Sequence, residues 1–103
     1  MNNIGKWIAI DEDGIWCSPF TDSYFFTTKK AIIKDISDAE LDARKTPKII
    51  RESEGVYIYK PKSCDTNTFS KEYTIIRLTK ENVEKYEEQI SEQERSLYAD
   101  LWY

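Results

Sequence analysis

The hydrophobic pattern changes period along this chain, and the changes divide it into elements. "KWIAI", residues 6–10, and "IWCS", residues 15–18, flank "DEDG" and read as a β-hairpin with Asp13-Gly14 in its turn. Pro19 ends the second of these strands, and "YFFTT", residues 24–28, predicts a third. In "KKAIIKDI", Ile32, Ile33 and Ile36 fit one helical face as well as a short strand, and the helix is the favoured reading, with Thr27 or Thr28 as its cap. "SDAE", residues 37–40, has capping-box spacing and predicts a second short helical turn through "LDAR" before Pro47. Another hairpin follows, in which "KIIRE" leads through Ser53-Glu54-Gly55 to "VYIYK". Its returning strand puts Val56 and Ile58 on one face and Tyr57 and Tyr59 on the other. After Pro61, "KSCDTNTFSK" has the composition of a mobile loop. "EYTIIRL", residues 72–78, is the last strand, with Ile76 and Leu78 to one side and Tyr73, Ile75 and Arg77 to the other.

From Thr79 onward the period is helical. Thr79 is the expected N-cap, and Glu81 sits in the first turn, where the helix dipole favours negative charge. Val83, Tyr86, Ile90, Leu97 and Leu101 form one apolar stripe, interrupted where Gln93 and Glu94 stand. A helix over about 80–102 would be ~34 Å long at ~1.5 Å per residue. The fold expected is therefore α+β. An antiparallel sheet of about five strands is packed by a long amphipathic C-terminal helix, in one domain of 103 residues.

Composition sharpens this picture in two places. Aromatic residues reach 14%, which predicts that rings rather than aliphatic layers fill much of the core. Histidine is absent, which removes His-based general bases, Ser–His and Cys–His dyads and imidazole metal sites. "DEDG" is no calcium loop, because Gly14 is fourth from Asp11 and Trp16 takes the sixth position that an EF-hand gives to glycine. There is no Gly-rich phosphate loop. No catalytic residue, cofactor or metal is expected.

Cys17 and Cys64 have no metal or redox spacing and read as two free thiols in a reducing compartment. No apolar run is long enough to span a membrane, and "MNNIGKWIAI" lacks a charged leader followed by a long apolar stretch. A soluble protein in the cytoplasm of the producing or host cell is expected, with no membrane partner.

Charge supplies the functional expectation. Residues 79–103 hold seven acids and three bases, and the other twelve acids and twelve bases cancel, so this one element carries the whole net charge of −4. Glu81, Glu84, Glu88 and Glu92 recur at helical spacing as a carboxylate row opposite the apolar stripe. Glu81–Lys85 and Glu92–Arg95 are placed to relieve part of its self-repulsion. Beyond the row, the chain closes with "SLYADLWY". Leu97 and Leu101 continue the stripe, whereas Tyr98, Trp102 and Tyr103 form an aromatic patch suited to anchoring a partner.

The resulting expectation is a small acidic binding protein, not an enzyme, that occupies a basic surface of a larger protein. A phage- or mobile-element-type inhibitor of a nucleic-acid-handling or defence complex has this character. The partner-binding residues expected are Glu81, Glu84, Glu88, Glu92, Tyr98, Trp102 and Tyr103. One alternative is a DNA- or RNA-binding regulator using Lys60, Lys62 and Lys71 of the 60–71 loop, against which the acidic helix argues by repelling phosphate. Another is a structural subunit docked through its aromatic tail. The thin apolar stripe also suggests a homodimer formed through the helix.

Overall fold

Alternation along the first strand sends Trp7 and Ala9 to one side and Ile8 and Ile10 to the other, and apolar clusters cover both sides. The computed structural model describes residues 3–39, 48–60 and 72–101, with side chains of the last helix as far as Ser96. In chain order the elements are β1 (Trp7–Asp11), β2 (Gly14–Ile15), α1 (Lys29–Ala39), β3 (Lys48–Ser53), β4 (Val56–Lys60), β5 (Tyr73–Arg77) and α2 (Val83–Leu101). The strands form one five-stranded antiparallel sheet in the order β2-β1-β5-β4-β3, so the fold is α+β.

Each face of the sheet receives a helix. On one side Ala9 and Tyr57 flank Ile75 in register, Tyr59 pairs with Tyr73, and α1 adds Ile32 and Ile36 to the same cluster. On the other, Ile8, Ile15 and Leu78 meet Val83 and Ile90 of α2. The sequence places only the C-terminal helix on the sheet, and α1 supplies a second covering layer. Rings fill much of the core, with Tyr59 and Tyr73 buried in it, but the deepest positions are aliphatic. Ile8, Ile32, Ile36 and Ile75 are completely buried, while Trp7, Trp16, Phe26 and Tyr57 are half-buried around them. Rings with polar tips sit where those tips find partners. Trp16 Nε1 donates to Asp35 Oδ2 at 3.0 Å, and the Tyr59 and Ser37 hydroxyls share a hydrogen bond of 3.0 Å.

Local departures from the pattern have identifiable causes. The first turn is Glu12-Asp13 with Gly14 already in β2, because Asp11 pairs with Gly14 and Asp11 Oδ1 accepts the Asp13 N–H. β2 ends at Ile15 although Trp16 N–H still donates to Ala9 O. Ser18 then turns the chain, its Oγ accepting the N–H groups of Phe20 and Thr21. Residues 24–28 form no strand. Phe26 makes a single two-way bridge with Trp7, while Ser23 Oγ bonds both backbone groups of Phe25. Thr28 then caps α1 through Oγ1 and the Ala31 N–H.

Ser37 opens no second helix, since α1 runs unbroken through it and its hydroxyl is taken by Tyr59. The predicted turn over 40–44 lies outside the described residues. α2 begins at Val83, after a turn in which Asn82 Oδ1 accepts the Thr79 N–H at 2.7 Å and Thr79 O accepts the Val83 N–H. Among the described residues no helix is long and apolar enough to cross a membrane, and no group of three or more acidic or thiol side chains could hold a metal ion.

Candidate protein-binding face

Val83 and Ile90 fix the orientation of α2 by facing the sheet, with Tyr86 half-buried beside them. The helical period then turns Glu84, Glu88 and Glu92 outward, and all three are exposed, as is Glu81 in the preceding turn. The two relieving ion pairs do not form. Arg95 Nε donates to Ser91 O at 3.4 Å, Lys85 Nζ lies over the Tyr86 ring, and among the described residues neither pairs with a glutamate. Among the described residues the row is thus left with its negative charge unneutralised. Exposed lysine and arginine side chains gain little from such pairs and lose rotamer freedom in making them.

The polar break in the stripe proves to be an anchor. Gln93 Oε1 accepts the Ile15 N–H at 3.0 Å, and Gln93 Nε2 donates to Ile15 O at the same distance. One side-chain amide therefore satisfies both outward peptide groups of the edge strand β2. Gly14 makes room for it, since a Cβ there would collide with Gln93 Oε1. Gln93 thereby holds the exposed row at a set angle to the sheet. No local signal in the sequence reveals this, because its partner lies 78 residues away.

The aromatic patch stands differently. The backbone of α2 extends to Leu101, but the side chains of Leu97, Tyr98 and Leu101 are not described, and Trp102 and Tyr103 lie outside the described residues. In the 60–71 loop, Lys62 and Lys71 also lie outside them. Lys60 is described, and its Nζ sits 3.7 Å from Glu72 Oε1. That partly neutralises the one described cation of the phosphate-binding alternative.

Next to α2, the thiol of Cys17 meets Asp22 Oδ1 at 3.6 Å. Burial, then the hydrogen bond and charge of Asp22, push the thiol pKa up; the Tyr24 hydroxyl pulls it partly back, and the charge of Glu94 adds a smaller rise. Burial and the neighbouring Cys17 and Glu94 raise the Tyr24 phenol as well. A thiol so placed is a poor nucleophile. In a Cys64→Ser background, a disulfide reagent at pH 8 will label Cys17 more slowly than it labels the unfolded chain. Asp22→Asn will speed the labelling, because Asn keeps the left-handed backbone of Asp22 (φ 60°) and removes the charge. Equal rates in the two folded proteins would show that Asp22 does not govern the thiol. The folded state holds this proton more tightly than the unfolded one, so the contribution to stability is full below the ordinary thiol range. It is lost as pH rises through the raised value.

Protein-family models, curated proteins and solved structures yield no match to this chain.

Proposed function

We propose that this chain is a small acidic modulator that occupies a basic surface of a larger protein through α2. Glu84, Glu88 and Glu92 make the contact, and Glu81 extends it by one turn. An inhibitor of the phage or mobile-element type, acting on a nucleic-acid-handling or defence complex, is the class of protein this describes. One observation supports the reading above others. Three glutamates on successive turns are exposed and unpaired among the described residues, on a helix whose opposite side is anchored to the sheet. Their mutual repulsion is relieved when cations of a partner meet them, and their field steers the encounter at long range.

The test is affinity capture from the native host with the wild-type chain and with the Glu84→Lys/Glu88→Lys/Glu92→Lys variant. A protein held by the wild type at low salt, released at raised salt and lost from the variant is the expected result. The variant should melt nearly where the wild type does, since exposed charges contribute little to folding. The same partner captured equally by both proteins would overturn the reading. So would salt-dependent binding of the wild type to DNA or RNA at about 50 mM salt, which would favour the phosphate-binding alternative.

A further inference from the structure

Three cations gather around one ring on the face of the sheet that carries α1. Lys29 Nζ stands 3.8 Å from the centre of the Tyr57 ring. Arg51 pairs with Tyr57 in the β3–β4 register, and Ile75 pairs with it from the other side. Strand alternation puts Arg77, two residues after Ile75, on this same face and opposite Trp7. Gly55, whose O accepts the Arg77 N–H, adds no side chain between Arg77 and β3. Arg51 and Arg77 are exposed, while Lys29 and Tyr57 are half-buried. Among the described residues none of the three cations has a carboxylate partner. Glu52 and Glu54 stand at the end of the same hairpin, both exposed, and pair with none of them. Lys29 and Lys30 open α1, whose first turn holds no acid, so the helix dipole adds to the positive charge.

The patch lies at the end of the sheet away from the chain segments that are not described. Residues 40–47 and 61–71 join the described chain at Ala39, Lys48, Lys60 and Glu72. Lys48 and Lys60 pair with each other at the end of the β3–β4 hairpin remote from Gly55. Glu72 precedes Tyr73, which pairs with Tyr59 beside them, and Ser37 near the end of α1 bonds Tyr59 as well.

We propose that this patch binds an acidic peptide segment of another protein, whose carboxylates are taken by Arg51, Arg77 and Lys29. Guanidinium groups match carboxylates as two-pronged forks, and arginine clusters are a recurring means of recognising acidic segments. In an extended peptide, side chains two residues apart point the same way at ~6.8 Å spacing, so acids at alternate positions face the patch together. A single-stranded nucleic acid fits less well. Its bases need open ring faces, whereas Lys29 covers the Tyr57 ring and Trp7 leans on it at 5.9 Å. Its phosphates would also run on past the patch over a chain of net charge −4, where a short peptide ends. The proposal does not depend on the binding role of α2, which packs on the opposite face.

Fluorescence anisotropy of a short labelled peptide of alternating glutamate and serine, titrated with the full chain at low salt, tests it. Saturable binding with a Kd below about 1 mM is expected, weakened about tenfold or more when glutamine replaces glutamate in the peptide. Arg51→Glu and Arg77→Glu should each weaken it about tenfold or more. Lys85→Glu makes the same change of charge on α2 and should stay within about twofold of the wild type. All variants should keep the wild-type circular dichroism, because the three positions are exposed. The absence of saturable binding up to about 1 mM would overturn the proposal. Equal losses in Lys85→Glu and the arginine variants would overturn it too, by showing that overall charge rather than the patch governs binding. So would oligothymidylate that binds more tightly than the peptide and is lost in the arginine variants, which would make the patch a nucleic-acid site.

Discussion

Asp35→Ala lowers the stability of the fold by ~2–4 kcal/mol, because a single carboxylate holds the loop after β2 against α1. Its Oδ2 accepts Trp16 Nε1–H at 3.0 Å, and its Oδ1 accepts the Ser18 hydroxyl at 2.9 Å. Ser18 is 1% exposed and has committed its lone pairs to the N–H groups of Phe20 and Thr21. Removing the carboxylate leaves a buried O–H and a half-buried indole N–H without acceptors, each costing ~1–3 kcal/mol. For a domain stable by ~5–15 kcal/mol that is a large share, and it corresponds to a fall in Tm of roughly 10–20 °C. Asp35→Asn keeps one acceptor oxygen and should lose about half as much. Denaturant titration followed by tryptophan fluorescence measures both. A change below about 0.5 kcal/mol in Asp35→Ala would show that water or another group replaces the carboxylate at no cost.

The second large effect falls on the contact between Gln93 and β2. Gln93→Ala leaves both peptide groups of Ile15, a residue 3% exposed, without their partner and should cost ~2–3 kcal/mol. Gly14→Ala should cost a similar ~2–4 kcal/mol for two reasons. Its φ of +131° is one that a residue with a Cβ rarely adopts, and the added carbon strikes Gln93 Oε1. The collision already breaks the amide contact, so the two changes are not independent. In a double-mutant cycle Gln93→Ala should cost less in the Gly14→Ala background, with a coupling of about 1 kcal/mol or more. Additive losses would place the two residues out of contact. Because Gln93 sets the angle of α2, its loss should also weaken partner capture by the otherwise intact glutamate row.

How much of this was legible before folding follows from the range of each interaction. Tyr57 and Tyr59 separate from Val56 and Ile58 by the period of a strand, and Thr28 caps α1 from three residues away, so both could be read in place. The exposed row Glu84, Glu88 and Glu92 is equally local, because three turns of one helix define it. Residues 24–28 have strand composition and yet form only one bridge. What decides them is whether β1 offers a partner along its length, and Ser23 and Thr28 have already turned the chain at either end. Lys60 has the look of a free cation until β5 brings Glu72 beside it.

The alternating and helical periods of the sequence by themselves determined the two hairpins, the last strand, α2 and its acidic face, and left residues 29–36 open between a helix and a short strand. Such features depend on neighbours within one or two turns, and backbone geometry imposes the period. Only the tertiary structure decided that α1 and α2 cover opposite faces, that isoleucines take the centre, and that Gln93 and Asp35 are anchors rather than surface polar groups. Those outcomes are contacts between elements: a polar side chain carries no mark of its partner until packing excludes water and leaves a particular peptide group, indole or hydroxyl within its reach.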